Sequence, residues 1–311
     1  MGGAATTFEA GGNLILSDGG RTLVGVDGVV TSATIDELAW YMKGRVACAL
    51  TGAGISTDSG IPDYRGPAGS LKKRSPVTYT EFVRSAENRR RYWARSCLGW
   101  PFMTERRPNG GHRAVRDLQR CGAIRSIVTQ NVDGLHQAAE STDVLELHGG
   151  LSRVVCLDCG TVSERGALQR RMLELNPGWI EKTAEAAPDG DAELPVEATS
   201  HFTVPPCEVC GGTLKPDVVF FGESVPKARV EAAFAAVDES DVLLVLGSSL
   251  TVYSGFRFAD YAAKAGKVVA IVNKGPTRAD GLATIKLDAH LGSIVPELAR
   301  RLTPHYVDEP A

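Results

Sequence analysis

The sequence predicts an α/β fold: a Rossmann-like parallel sheet interrupted by a small, separately organised domain. Three observations carry this. Short, continuous apolar runs alternate with helical patterns, which is how strands buried on both faces of a parallel sheet read. Five of these runs end in small or polar clusters, and open α/β sheets bind ligands outside the carboxyl ends of their strands. Two stretches, 66–110 and 153–213, break the alternation.

Residues 1–31 are rich in Gly, Ala and Thr without sustained periodicity, and read as a weakly ordered N-terminal arm. Ile35, Leu38, Ala39 and Met42 then recur at helical spacing, with Asp36 and Glu37 in the first turn and Gly44 as a stop. The run 46–50 is the first buried strand. Further strands are expected at 124–128, 144–147, 242–246 and 268–272, with 285–287 as a short edge strand. Helices are expected at 111–121, 227–237, 257–265 and 292–302. The stretch 66–110, with Arg89-Arg90-Arg91-Tyr92-Trp93, Trp100 and Phe102, reads as a helical insertion. The main domain is thus 32–152 plus 214–303, with 153–213 as a cysteine-bearing module and 304–311 as a C-terminal tail.

Composition narrows the class. The 311 residues are 43% hydrophobic and 23% charged, as in soluble globular chains, and the net charge of −3 offers no basic field for nucleic acid or anionic membrane. The longest apolar run, around 242–247, is too short to span a bilayer. The N-terminus lacks a basic segment followed by an apolar one, so no signal peptide is read and a cytoplasmic location is expected. Seven cysteines, an odd number without a secretory signal, argue against a disulfide framework.

Four of those cysteines form two C-x-x-C pairs, Cys156/Cys159 and Cys207/Cys210. Chance at this cysteine frequency supplies only about 0.16 such pairs. Four thiolates suit tetrahedral zinc, with Gly160 and Gly211-Gly212 following the pairs as knuckle turns do. Such a site has no open position, so the metal is expected to be structural and the insertion a zinc ribbon. A redox pair or four buried thiols would use the same residues. No Lys/Arg cluster flanks the knuckles, which disfavours a nucleic-acid-binding ribbon.

Gly52-Ala53-Gly54 after the first strand resembles a phosphate-binding dinucleotide loop, although a glycine turn without a ligand has the same form. The third glycine of a dehydrogenase fingerprint would fall at Thr57. Some twenty residues on, Lys72-Lys73-Arg74 stands where a ribose-binding acid would be. A dehydrogenase-type site fails on both counts.

The longer run from Gly52 through Ser56, Gly60, Ile61, Pro62 and Asp63 to Tyr64-Arg65 resembles the signature of the sirtuins, NAD-dependent protein deacylases. Thr129-Gln130-Asn131-Val132-Asp133-Gly134-Leu135-His136, Leu147-His148-Gly149, the cysteine quartet, Phe220-Phe221-Gly222-Glu223, Gly247-Ser248-Ser249-Leu250 and Ile271-Val272-Asn273 are similar to the family's later motifs, in order. The likeness covers roughly residues 32–302. Tyr64 and the stretch from Gly275 to Asp280 resemble the class II branch. The Tyr-x-x-Arg pair that reads succinyl and malonyl groups in another branch is sought at Gly69-Ser70-Leu71-Lys72-Lys73 and is absent there, so dicarboxylate acyl groups are not expected.

The resemblance implies an Sir2-type reaction with NAD as co-substrate and structural zinc. NAD would contact Gly52, Ala53, Gly54, Ser56, Asp63, Tyr64, Arg65, Gln130, Asn131, Asp133, Gly247, Ser248, Ser249, Asn273, Gly275 and the main chain of Leu291. His148 would be the general base, with Asn131 holding the ribose and a water. Val219, Phe220 and Gly222 would receive an acylated-lysine protein substrate as an added strand, although plain core packing is the better reading for at least one of Phe220 and Phe221. The products would be nicotinamide, free lysine and O-acyl-ADP-ribose. Mono-ADP-ribosyl transfer, or NAD or ADP-ribose sensing without turnover, are the alternatives. Of the other histidines, His136 is expected to brace the crevice, His112 to be a helix cap or a brace, and His201, His290 and His305 to lie on the surface.

Overall fold

The computed structural model describes residues 33–63, 76–181 and 197–303, together with the backbone of three short strands nearer the N-terminus. Those strands, β1 (Phe8–Ala10), β2 (Asn13–Asp18) and β3 (Arg21–Val24), pair antiparallel in a separate small sheet, in the stretch where the sequence shows no periodicity. Tyr64, Arg65, Lys72–Arg74, most of the acidic segment between the cysteine pairs, His305 and the C-terminal tail lie outside the described residues.

The main domain opens with α1 (Ile35–Met42), started by a reciprocal cap. Thr34 Oγ1 accepts from the Glu37 N–H, and the Glu37 carboxylate accepts from the Thr34 N–H. There follow β4 (Ala47–Thr51), then α2 (Tyr79–Arg84) and α3 (Ala86–Glu105) of the helical insertion, and α4 (Gly110–Arg120). Next come β5 (Ile124–Thr129), the single-turn α5 (Leu135–Ala138) and β6 (Val144–Glu146). The small lobe adds β7 (Gly149–Cys156), β8 (Val162–Glu164), α6 (Arg165–Leu175) and β9 (Leu214–Val218). The chain returns through α7 (Lys227–Asp238), β10 (Val242–Leu246), α8 (Tyr253–Lys264), β11 (Val268–Val272), β12 (Ile285–Leu287) and α9 (Leu291–Leu302).

Six strands form one parallel sheet in the order β12-β11-β10-β4-β5-β6. The chain winds outward from β4 in one direction and from β10 in the other. The switch point between these two strands is where such sheets open a ligand crevice. Strand pleating sends alternate residues to opposite faces. Val242, Leu244 and Leu246 of β10 enter the core beneath α1, α4 and α9, while Leu243 and Val245 enter the one beneath α7 and α8. All five are at most 1% exposed. Burial on both faces is why this run is continuously apolar.

The helical insertion and the cysteine module are one lobe, not two. β8, β7 and β9 form an antiparallel sheet, and Val154 of β7, with Leu168 and Met172 of α6, packs with Phe82, Tyr92 and Trp93. Trp93 is fully buried, and its indole N–H donates to the Leu214 carbonyl at 3.1 Å. Trp179 reciprocates by donating to the Ala94 carbonyl at 2.9 Å. The lobe's strands run from Gly149 to Val218, a few residues beyond 153–213 on each side, so β6 leads into it almost directly through Leu147 and His148.

Candidate active site

A crevice of about 1200 Å³ opens between the lobes at the switch point, larger than the ~300–1,000 Å³ of an ordinary small-molecule pocket. Its floor is built by two loops, 52–54 after β4 and 247–249 after β10. The Gly54 N–H donates to the Gly247 carbonyl at 2.8 Å, and a Cβ on Gly54 would fall 2.8 Å from Gly247 Cα. Only glycine lets these two backbones meet. Gly247 itself has φ +63°, the left-handed conformation glycine tolerates. Among the described residues, the backbone N–H groups of Ala53, Ser248 and Ser249 reach no acceptor. Three unpaired donors around a glycine cradle fit a pyrophosphate.

Polar side chains line the crevice in an interlocked set. Ser56 Oγ donates to Asp133 Oδ2 at 2.7 Å, and Asn131 Nδ2 lies 3.1 Å from both Ser56 Oγ and the Gly52 carbonyl. Burial raises the Asp133 carboxyl above its ordinary range, against the opposing hydrogen bonds from the Leu135 N–H and Ser56. Gln130 Nε2 donates to Ser248 Oγ at 2.8 Å, tying β5 to the β10 loop. Asn273 donates to the Lys274 and Gly275 carbonyls at 3.1 Å, shaping its own turn and leaving Oδ1 to accept.

His148 lies at the passage from β6 into the small lobe. Its Nδ1 is 2.9 Å from the Gln130 carbonyl, which can only accept, so that nitrogen carries the proton and Nε2 holds the lone pair. Nε2 in turn is 2.8 Å from Ser254 Oγ. Burial pushes the imidazole below the ordinary value of 6.5, and the nearby Arg229 and Arg257 charges add to this against the Gln130 bond. The ring is neutral at physiological pH. The His148 carbonyl accepts from the Val219 N–H at 2.8 Å, which seats the segment 219–222 beside it.

The structure brings together Gly52, Ala53, Gly54, Ser56, Asp63, Gln130, Asn131, Asp133, His148, Val219, Phe220, Gly222, Gly247, Ser248, Ser249, Asn273 and Gly275 around this one crevice. Leu291 is not among its lining residues: it is 6% exposed, packed in the core at the start of α9, and Asp288 lines the wall instead. Phe220 both lines the crevice and packs with Phe82 and Tyr92, whereas Phe221 is 37% exposed and is not core. The Tyr-x-x-Arg spacing does occur, on α3 at Tyr92 and Arg95, not at 69–73. Tyr92 lines the crevice, while Arg95 is buried and absent from its lining. Ser254 and Arg257 escaped the sequence reading because α8 begins at Tyr253, four residues before the apolar pattern announces it.

Beneath the floor, His136 Nε2 lies 3.0 Å from Thr51 Oγ1, and its ring packs edge-on against His112 at 5.0 Å. Both are at most 1% exposed, one bracing the crevice and the other accepting the Asn109 N–H at the start of α4. His201 and His290 are exposed.

The four paired cysteines converge, their sulfurs all within 4.8 Å of one another. The Cys156–Cys210 and Cys159–Cys207 separations are 3.5 and 3.8 Å. Tetrahedral zinc with Zn–S bonds of about 2.3 Å requires sulfurs about 3.8 Å apart, so the quartet fits that metal. The remaining buried thiols, Cys48 and Cys97, are each pushed up to about 11 by burial and are inert.

A doubly wound sheet whose switch point opens on unpaired amide donors and an oriented neutral histidine defines a dinucleotide-using enzyme. Residues 52–254 match the Sir2 family. NAD-dependent protein deacetylase 1 of Streptomyces coelicolor is 56% identical over 253 residues, 81% of this chain and 85% of that protein. The NAD-dependent protein lipoamidase sirtuin-4, mitochondrial, of Bos taurus is 50% identical over 250 residues, 79% of each. Among solved structures, a complex of a Sir2 homolog with NAD aligns with a TM-score of 0.69 at 27% identity, covering 87% of this chain and 94% of that one. A Sir2 variant with deacetylated p53 peptide and 3′-O-acetyl ADP-ribose aligns with a TM-score of 0.69 at 31% identity, covering 86% and 97%. This chain belongs to the Sir2 family, the sirtuins.

Proposed function

We propose that the crevice deacylates protein lysines with His148 as general base and Asn131 as its partner. The chain is an NAD-dependent protein deacylase of the deacetylase type. The observation that carries the assignment of the base is the pair of bonds on the imidazole: Nδ1–H fixed on the Gln130 carbonyl and a lone pair on Nε2 within the crevice.

NAD, when bound, supplies a ribose C1′ made electrophilic by the departure of nicotinamide. The chain's residues do the rest. Ala53, Ser248 and Ser249 offer backbone donors to the pyrophosphate, and Asp133 faces the nicotinamide carboxamide. Asn131, with its amide nitrogen engaged by Gly52 and Ser56, keeps Oδ1 for a ribose hydroxyl or water. His148 Nε2 would take the proton from the ribose hydroxyl that attacks the acyl carbon, whose own oxygen passes to C1′ while water adds to that carbon and the lysine amine leaves it. Val219, whose N–H is held by the His148 carbonyl, presents its own carbonyl to the acyl-lysine N–H. Zinc on Cys156, Cys159, Cys207 and Cys210 would staple the small lobe and leave no ligand position for chemistry.

Acylated-lysine proteins are the substrates on this reading, and the bacterial deacetylases among the relatives favour a cytoplasmic location. Among the described residues no helix is long and apolar enough to cross a membrane. Mass spectrometry after incubation with NAD and peptides carrying acetyl, lipoyl and dicarboxylate acyl groups tests the proposal. O-acyl-ADP-ribose with free lysine is expected. ADP-ribose left on peptide or enzyme would move the function to transfer, and intact NAD across the panel would leave a sensing module.

A further inference from the structure

The first turn of α8 interlocks with the base more closely than a passing wall requires. Ser254 Oγ is 2.8 Å from His148 Nε2. Gly255, the next residue, leaves room for the Gln130 side chain, which a Cβ there would meet at 2.3 Å. Arg257, one turn on, lines the crevice and acts electrostatically on His148. With Nδ1 protonated, Nε2 can only accept, so the serine hydroxyl donates to it. Both ends of the ring are then held, one by the Gln130 backbone and one by α8.

We infer that Ser254 is a positioning residue for the deacylation base, holding the orientation of a ring whose tautomer the Gln130 carbonyl sets, through a hydrogen bond to Nε2. This rests on the reading of His148 as the base. The hydroxyl stabilises the neutral ring and competes for the lone pair only until a ribose hydroxyl takes its place. A donor to Nε2 opposes protonation, as does the amino-terminal end of a helix. The other charges acting on the ring are Arg229 of α7, itself paired with Asp217 of β9, and Arg257 of α8.

The test compares wild type, Ser254→Ala and Ser254→Thr. Nitrogen NMR of the imidazole should show the Nδ1–H tautomer in all three proteins, with Nε2 at a hydrogen-bonded shift in wild type and Ser254→Thr and at an unbonded shift in Ser254→Ala. The kcat of Ser254→Ala should fall about tenfold, the loss of roughly one hydrogen bond, with KM for NAD little changed. The acid limb of its kcat/KM profile should move to higher pH, and Ser254→Thr should restore both. An unaltered Nε2 shift and unaltered acid limb in a folded Ser254→Ala protein would overturn the inference. If that variant does not fold, an unbonded Nε2 shift in wild type overturns it instead. Activity surviving in His148→Ala would overturn the base assignment separately, since the NMR measurement does not depend on turnover.

Discussion

The contact between the two floor loops gives a sharp prediction. In Gly54→Ala the new Cβ would sit 2.8 Å from both the Cα and the carbonyl oxygen of Gly247, where ordinary contacts begin at 3.4 Å. The loops must therefore part by about 0.6 Å, the difference of those distances. Gly247 cannot give way cheaply: its φ is +63° and its N–H donates to the Val272 carbonyl at 2.9 Å. Overpacking of this kind costs about 1–3 kcal/mol, which lowers the melting temperature by roughly 2–4 °C per kcal/mol. The displaced groups include the Ser248 and Ser249 amides, so NAD should bind at least about tenfold more weakly, or roughly 1.4 kcal/mol. Calorimetric titration with NAD and a thermal melt measure both. Gly281→Ala, at an exposed site with nothing within 4 Å of the new carbon, is the control and should leave both unchanged. Wild-type NAD affinity and melting temperature in Gly54→Ala would refute the reasoning.

Three further outcomes are expected. His148→Ala should lose at least about a hundredfold in turnover while NAD binding, followed by calorimetry, survives. Removing zinc should unfold the small lobe, seen as a red shift of tryptophan fluorescence as Trp93 and Trp179 become wet; an unchanged melt after verified metal removal would contradict a structural metal. Acid should destabilise the fold through its buried histidines, because burial lowers His136 from 6.5 to about 4 and His112 well below 6.5. The unfolded chain binds more protons than the folded one in that window, so stability falls as pH drops from about 6.5 towards 4. For His136 the loss is on the order of 3 kcal/mol, and denaturant midpoints that stay flat from pH 7 to 4 in both wild type and His136→Gln would contradict it.

The sheet was legible because each central strand is buried on both faces, which leaves an unbroken apolar run, and because each βα turn carries its polar cluster immediately afterwards. The cysteine quartet was legible by spacing. What escaped depends on contacts distant in sequence. Trp93 meets Leu214 across 121 positions, so nothing local reveals that the helical insertion and the zinc ribbon share one core. The first turn of α8, Tyr253-Ser254-Gly255-Phe256, contains a glycine and lacks a side-chain cap, which hid both the helix start and the hydroxyl on His148. The resemblance implies that the main chain of Leu291 flanks the adenine, but the residue is not among those lining the crevice. Its apolar side chain packs in the core beneath α9.

The bond from the Val219 N–H to the His148 carbonyl has a mechanical meaning. His148 and Val219 stand on two of the chain crossings that join the lobes, and this bond ties one to the other. A rotation of the small lobe about that bond would widen or narrow the space above the dinucleotide floor. It would leave the spacing between the imidazole and the segment beside it nearly constant. Whatever motion the lobes make, the imidazole of His148 and the segment at Val219 stay coupled by a single backbone hydrogen bond.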